Sequence, residues 1–153
     1  MARHIFKIEV LKELDEALTE LPKAVARSAL QRALKSEGQV IADAGEALAP
    51  KLSGGLAQSY TVGSKLSRRQ RKQHKKESMV EVFVGPTPHA KSIQTEFGNA
   101  HQAAHPHLRP AWDGNVMKVL AGIKDRLTEN IERARKRLAR KAEREAAKLK
   151  SGK

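Results

Sequence analysis

The chain has 153 residues, no cysteine, five aromatic residues and a formal net charge of +13. This composition suits one domain with a core of Leu, Val, Ile and Ala, and it excludes disulfides, thiolate metal sites and cysteine catalysis. No apolar run approaches the roughly 20 residues that span a bilayer, so we expect a soluble protein that is intracellular when synthesised, has no membrane partner and binds an anionic surface.

Two helices are predicted in the first third of the chain. His4–Val10 alternates imperfectly between apolar and polar residues, which is typical of a short edge strand or of the lead-in to a first helix from Leu11 to Leu21. Pro22 suits the first turn of a second helix, because its missing N–H has no partner to lose there. Apolar residues then recur at helical spacing as far as Ala49, and Pro50 ends this Ala-rich helix.

A hairpin with a long connection is predicted next. Leu56–Ser64 and Ser78–Val84 have the alternation of strands, and Gly85-Pro86 is expected to end the second. The loop between them, residues 65–77, is much longer than the usual connection of about two to five residues. Its dense positive charge predicts an element that is poorly ordered until it contacts an acidic protein or DNA. The basic residues are Lys65, Arg68, Arg69, Arg71, Lys72, Lys75 and Lys76.

The last third is predicted to end in a long helix. A short helical or irregular stretch from His89 to Phe97 leads through a corner to this helix, which begins near Pro110. Its apolar stripe thins beyond Ile131, so residues 132–153 are expected to form a basic helical extension. Basic residues of this extension that are expected to contact a partner or DNA are Arg133, Arg137, Arg140 and Lys141.

These elements predict an α+β fold. A small antiparallel sheet with a long hairpin loop is packed by the Ala-rich helix and the long C-terminal helix. Residues 1–131 are expected to form a single domain that carries the basic loop, and residues 132–153 the extension.

Several histidines invite a metal-site interpretation. His101, His105 and His107 are close in sequence, with His89 and Glu96 nearby. A closed structural zinc site needs four ligands and supporting contacts around them, whereas these residues fall in a predicted loop. Solvated or interface histidines are the simpler interpretation, so we expect no metal.

Catalytic motifs are also missing. Ser59, His89 and Asp43 are the residue types of a hydrolytic triad, but no G-x-S-x-G turn supports them. Ser53-Gly54-Gly55 lacks the Lys-Ser or Lys-Thr that completes a phosphate-binding loop. The sequence therefore predicts no enzyme and no cofactor.

Nucleic-acid binding is the alternative that the charge allows. From Lys124 to Lys153 the chain has twelve basic and five acidic residues, which favours phosphate contacts. The loop contains no aromatic pair for base stacking, and the chain has no helix-turn-helix, zinc-finger or RNA-binding signature. Any such binding would be independent of nucleotide sequence.

A set of short motifs in a fixed order adds a more specific indication. Together, over roughly Leu14 to Ile131, they resemble the tail-completion, or head–tail joining, family of long-tailed bacteriophages. The chain departs from that family at two positions. Asn99 stands where the family often has Thr, and Asn adopts turn geometry nearly as well as Gly does. His107 stands where the family often has an aromatic residue, and His can occupy a half-buried aromatic position. The motifs are Leu18 to Pro22, Ala49-Pro50, Ser53 to Ser59, Val84-Gly85, Glu96-Phe97-Gly98 and Pro106 to Ala111.

The resemblance implies a structural virion protein of the phage neck, without enzymatic activity. Several copies would form a ring, commonly six-fold, that completes the tail and joins it to the DNA-filled head. The implied partners are further copies, the head-closure protein and the tail-tube or tail-terminator protein, with non-specific contact to genomic DNA in the lumen. The protein would be located in the virion neck, and in the host cytoplasm during assembly. The alternative is a basic, sequence-independent nucleic-acid-binding protein.

The motifs also predict a structural corner at the start of the last helix. Phe97 and Leu108 are expected to be buried there against the Ala-rich helix. The corner residues are Pro50, Gly54, Glu96, Phe97, Gly98, Leu108, Arg109 and Pro110.

Overall fold

The computed structural model describes residues 12–51, 54–87 and 91–151. The predicted segment His4–Val10, Ser53 of the turn motif and His89 lie outside these residues. The architecture is mixed helix and sheet, with a two-stranded antiparallel sheet and a long C-terminal helix, as predicted. In order, the elements are α1 over residues 12–19, α2 (Lys23–Leu48), a 3₁₀ turn (Ala57–Ser59), β1 (Tyr60–Gly63), α3 (Arg68–Gln73), β2 (Phe83–Pro86), α4 (Ser92–Phe97) and α5 (Leu108–Ser151).

The Ala-rich helix follows the proline signals in the sequence. The carbonyl of Pro22 accepts hydrogen bonds from the N–H groups of Val25 and Ala26, at 2.8 and 3.0 Å. The helix ends at Leu48, two residues before Pro50. The prediction of a helix between these prolines is confirmed. A proline is tolerated before the first turn of a helix, but it cannot continue the last turn, because it has no N–H to donate.

The sheet is shorter than predicted, and its second strand is shifted along the chain. Gly85 and Pro86, which were expected to end the strand, lie within β2. The N–H of Thr87 donates to the carbonyl of Ser59 at 2.7 Å, and residues of an antiparallel strand alternate between bonded and non-bonded positions. Pro86 therefore occupies a position at which no bond to β1 is lost. The paired residues are Tyr60 with Pro86, Thr61 with Gly85, Val62 with Val84 and Gly63 with Phe83.

The predicted irregular loop, residues 65–77, contains the helix α3. The hydroxyl of Ser67 accepts the N–H of Gln70 at 3.3 Å, and the side chain of Gln70 accepts the N–H of Ser67 at 3.1 Å. This reciprocal pair is a capping box, which satisfies two N–H groups at a helix start. The connection is long, as predicted, and Arg68–Gln73 within it is helical. That the connection is poorly ordered before it contacts a partner stays a prediction.

The return part of the connection is organised by one carboxylate. Glu81 accepts the backbone N–H groups of Glu77 and Ser78 at 2.8 and 3.2 Å, and its other oxygen lies 2.8 Å from Nε2 of His74. The Glu77 N–H and the imidazole, in that order, lower the pKa of Glu81 to about 2. The ring of His74 also meets Phe83 edge-on, at 5.3 Å between centroids. The segment before β2 is therefore tied to the strand.

Contacts divide the chain into two compact units, each with its own apolar cluster. The first unit contains residues up to Ala33 and from Lys124 onward, and the second contains Leu34–Ile123. This division differs from the predicted single domain of residues 1–131 with an extension over 132–153. In the first unit, buried residues of α1, the start of α2 and α5 form one apolar cluster. Its last member along α5 is Ala134, and the partly buried Leu138 packs against the cluster.

The second cluster holds the sheet against α2 and the start of α5. Its members are mostly small, which allows close approach of helix and strands. They are Ala42, Ala49, Leu56, Ala57 and Tyr60, with Val62, Val84 and Leu108 partly buried beside them.

The long helix α5 begins two residues before Pro110. Its side chains from 139 to 150 are all exposed, so the final turns make few packing contacts. None of the helices in the described part of the chain combines the length and apolar character needed to span a bilayer.

Candidate functional site

One carboxylate caps the long helix. Oε2 of Glu96 accepts the backbone N–H groups of His107 and Leu108, at 2.8 and 2.9 Å, and Oε1 accepts that of Arg109 at 3.0 Å. The first four N–H groups of a helix have no partner within it. Here three are bound by Glu96, and the fourth position is Pro110, which has no N–H. The two motifs of the predicted corner therefore form one structural unit.

The cap fixes the ionisation state of Glu96. Burial opposes ionisation of the carboxyl, but the three N–H hydrogen bonds outweigh it, so the pKa of Glu96 lies below its ordinary value. The positive end of the α5 dipole acts in the same direction. Glu96 is thus a carboxylate whose oxygens are occupied by backbone, which suits a structural role better than proton transfer.

A tight turn brings the chain from α4 to the cap. Gly98 has φ of +76°, and a Cβ there would lie 2.9 Å from the backbone N of Ala104. The next residues turn at once, because Asn99 bridges to Gln102 and its side chain accepts the N–H of His101 at 2.8 Å. Glycine is therefore required by both backbone conformation and space, and Asn99 acts as a turn residue.

A buried polar pair lies behind the cap. The hydroxyl of Tyr60 is hydrogen-bonded to Nδ1 of His107, and the two rings meet edge-on with centroids 5.7 Å apart. Burial, helped by the charge of Glu96, raises the pKa of Tyr60 to about 12. Burial also lowers the pKa of His107, although Glu96 lies 3.6 Å from Nδ1 and opposes that change. Both changes favour the uncharged forms, so the bond joins a protonated hydroxyl to a neutral imidazole.

The second ring nitrogen of His107 makes no such contact. Nε2 is buried and has no hydrogen-bond partner within residues 12–51, 54–87 and 91–151. No local sequence pattern links Tyr60 to His107, because the two residues are 47 positions apart.

The remaining corner residues do not all behave as predicted. Phe97 is 65% exposed, so the prediction that it is buried is wrong. The buried residues of α4 are Thr95 and Glu96, and the next position on a helix points away from them. The guanidinium of Arg109 lies over the Phe97 ring, 5.5 Å from its centroid. Leu108 is partly buried against the cluster that contains Ala42 and Ala49 of the Ala-rich segment.

Pro50 and Gly54 lie in the segment between α2 and the 3₁₀ turn. Gly54 has φ of +70°, a conformation that favours glycine. Its carbonyl accepts the N–H of Gln58 at 3.0 Å. The structure therefore places these two predicted corner residues at the entrance to β1.

An open groove of about 920 Å³ lies beside the cap in the second unit. It is bounded by α3, β2, α4 and the first residues of α5. Its lining is mainly apolar, with arginines contributed by α3. The residues that define its character are Arg68, Arg69, Val84, Ile93, Phe97 and Leu108.

The basic residues predicted as contacts are all exposed, but they fall in different units. Lys65, Lys75 and Lys76 flank α3, and Arg68, Arg69, Arg71 and Lys72 are part of it. In the first unit, Arg133 pairs with Glu129 and Lys141 lies 3.7 Å from Glu145, so part of the extension charge is locally neutralised. Arg137 and Arg140 are exposed on the same helix.

The geometry offers no catalytic arrangement among the candidates that can be described. The hydroxyl of Ser59 donates to the carbonyl of Leu56 at 2.7 Å, and Asp43 accepts from Gln39 at 2.8 Å. Within the described ranges, no three side chains of His, Cys, Asp or Glu converge as metal ligands. His101 and His105 are exposed, whereas His107 is buried with Tyr60.

No family model, curated protein or solved structure matches this chain. The functional interpretation therefore depends on the motifs, the cap and the exposed surfaces.

Proposed function

We propose that the protein is a structural component of the neck of a long-tailed bacteriophage, where several copies form a ring that completes the tail and joins it to the filled head. The observation that carries the proposal is the Glu96 cap. It joins Glu96-Phe97-Gly98 to the Pro106 to Ala111 motif, and both belong to the set on which the family resemblance depends. Because both carboxylate oxygens bind backbone N–H groups, the unit supports an architectural role.

Two exposed cationic surfaces support an assembly role. α3 and its flanks carry one, and the end of α5 carries the other. Two like-charged surfaces repel each other, so they suit contacts with other, acidic proteins better than contacts between copies. The net charge of +13 favours neighbours with acidic surfaces, which would be the head-closure and tail-tube or tail-terminator proteins, and it favours non-specific contact with DNA in the lumen.

Complementation tests this function. In a phage that encodes this chain, deletion of the gene should yield filled heads and complete tails that do not join, and the purified protein should restore joined, infectious particles in an extract. Joined particles without the protein would overturn the proposal.

A matched pair of charge variants locates the contact. Replacing Arg68, Arg69, Arg71 and Lys72 with Gln should preserve the circular dichroism spectrum and abolish restoration. Replacing Lys23, Arg27, Arg32 and Lys35 of α2 with Gln removes the same charge from exposed positions and should leave restoration intact. Equal activity of both variants would show that α3 is not a neck contact.

Native mass measurement separates the neck function from the nucleic-acid alternative. A closed ring of several copies, formed alone or with the neighbouring neck proteins, is the expected result. A monomer or dimer that binds duplex DNA regardless of sequence, with affinity falling steeply as salt rises, would favour the alternative.

A further inference from the structure

The groove beside the cap combines two surface properties. Ile93 and Phe97 are 71% and 65% exposed, although large apolar side chains are usually covered. Val84 and Leu108 continue this apolar surface inward, and Arg68 and Arg69 add positive charge from α3. A partner that fits this groove therefore needs both an apolar side chain and negative charge.

His107 adds a buried polar atom to the lining of the groove. Its side chain is 1% exposed, and its Nε2 has no hydrogen-bond partner in the described part of the chain. A buried polar atom without a partner is unfavourable, so a polar group of a bound segment that reached this nitrogen would stabilise the complex. The backbone of a peptide offers both an N–H donor and a C=O acceptor for this contact.

We propose that this groove binds a short acidic peptide segment of a neighbouring protein, with a bulky apolar side chain of the segment packed against Ile93 and Phe97 and its carboxylates facing Arg68 and Arg69. The identity of the neighbour as a neck protein rests on the proposed function, whereas the chemistry of the segment rests on the groove alone. An extended segment suits this site, because a small ligand would leave much of its surface uncovered in an open groove.

The same features disfavour other occupants. A second copy of this chain carries 30 Lys and Arg residues against 17 Asp and Glu, so it complements Arg68 and Arg69 less well than an acidic segment does. Copies in a ring would therefore meet through other surfaces. Nucleic acid would find a mainly apolar lining in this groove, and the exposed phenyl ring there, Phe97, already contacts the Arg109 guanidinium at 5.5 Å. Charge complementarity together with exposed apolar surface therefore favours the acidic, apolar segment.

Binding of a synthetic probe tests the groove without any virion. We expect a fluorescein-labelled peptide Asp-Asp-Leu-Phe-Asp-Asp, blocked at both ends, to bind the full chain below about 1 mM. Binding should be lost when Leu-Phe becomes Ser-Ser or when the acidic residues become Lys. Trp112, the one tryptophan, lines an adjacent cavity with Phe97, so its fluorescence gives an independent signal.

Matched variants assign the binding to the groove. Ile93→Ser should weaken the peptide by about tenfold or more, whereas Leu149→Ser, at a side chain that is 79% exposed, should leave the affinity unchanged. Replacing Arg68 and Arg69 with Gln should weaken binding similarly. The same change at Arg140 and Lys141, which are also exposed, should have little effect.

Three outcomes would overturn the proposal: no binding to about 1 mM, equal binding of the Ser-Ser peptide, or displacement by an oligonucleotide of equal charge at equal concentration.

The complementation assay separates this inference from the proposed function. If Ile93→Ser loses the peptide but still joins heads and tails, the groove is not the neck contact while the neck function stands. If deletion of the gene leaves joining normal, the neck function fails while peptide binding is unaffected.

Discussion

Oε2 of Glu96 lies 2.9 Å from the backbone N of Leu108, and this contact ties the end of α4 to the first turn of α5. Bonds from N–H groups to a carboxylate are stronger than those to a neutral acceptor. The helix they cap has 44 residues, so the position of its first turn depends on one side chain from a six-residue helix.

Glu96→Gln should therefore destabilise the protein. An amide oxygen accepts less strongly than a carboxylate, and the Gln amino group would face at least one of the three N–H donors. We expect a loss of about 1.5–3 kcal/mol in the free energy of unfolding, measured by denaturant titration. Glu46→Gln, at an exposed position of α2, is the control and should change stability by less than about 0.5 kcal/mol.

The effect of Glu96→Gln should depend on pH. The folded pKa of Glu96 is below its ordinary value of 4.5, so the unfolded chain binds the proton more tightly. The ionised carboxylate of Glu96 therefore contributes fully to the free energy of unfolding above pH 4.5. This contribution is lost as pH falls from there through the folded pKa. The stability gap between wild type and variant should narrow below pH 4.5. A constant gap down to acid unfolding would contradict the lowered pKa.

Tyr60 provides a second titration test, because it is the single tyrosine in the chain. Tyrosinate absorbance should appear with a midpoint near pH 12 in the native protein, instead of the ordinary value of 10.0. Since the folded pKa is raised, the protonated hydroxyl of Tyr60 contributes fully to folding stability below pH 10.0. This contribution is lost as pH rises towards 12. The same titration in denaturant should return to about 10. A native midpoint at the denatured value would contradict burial of this hydroxyl.

The close packing of the Tyr60 ring against α2 leads to a further prediction. A Cβ added at Gly45 would lie 2.3 Å from an atom of the Tyr60 ring, so Gly45→Ala should strain the core by about 1–3 kcal/mol. This exceeds the gain of about 0.5–1 kcal/mol expected from replacing a helical glycine with alanine. Thermal unfolding should show a lower midpoint for the variant.

Gly114→Ala is the matched control. Gly114 is also within a helix, and a Cβ there meets nothing within 4 Å. This variant should be stabilised by about 0.5–1 kcal/mol. If both alanine variants were stabilised equally, the close contact of Tyr60 with Gly45 would be wrong.

The sequence predicted the elements that are long enough to show periodicity. Both long helices repeat their apolar residues every three or four positions. Prolines mark both ends of the first, Pro22 and Pro50, and the start of the second, Pro110. α3 was missed because its dense charge was interpreted as disorder. Ser67 and Gln70 had the spacing of a capping box, which was the available signal.

Other features depend on partners that are distant in sequence. Pro86 can lie in a strand only if no backbone N–H is needed there for a hydrogen bond to β1. The pairing with β1 decides this. α4 has six residues, too few for a period to show that Glu96 points inward and Phe97 outward. The Glu-Phe-Gly motif identified the corner, but only the fold identifies Glu96 as the residue that caps α5.

The C-terminal part of α5 gives the last prediction. In the unit that contains it, Nδ2 of Asn130 donates to the carbonyl of Ala29 at 3.2 Å, and Arg135 pairs with Glu20. Packing contacts continue to Leu138, and residues 139–150 are exposed. Removing residues 139–153 should therefore change the free energy of unfolding by less than about 0.5 kcal/mol.

Ile131→Ala provides the contrast, because this side chain is 3% exposed and its truncation should cost about 2–5 kcal/mol. Hydrogen exchange should show protection through Leu138, which lies within the predicted extension of residues 132–153, and weaker protection after it. An unpacked helix of this length is marginal in water. The shortened chain should fold but fail to restore joined particles if the extension contacts a neighbour. If the truncation were as destabilising as Ile131→Ala, the last turns would belong to the core, because exposed helix turns add little to stability on their own.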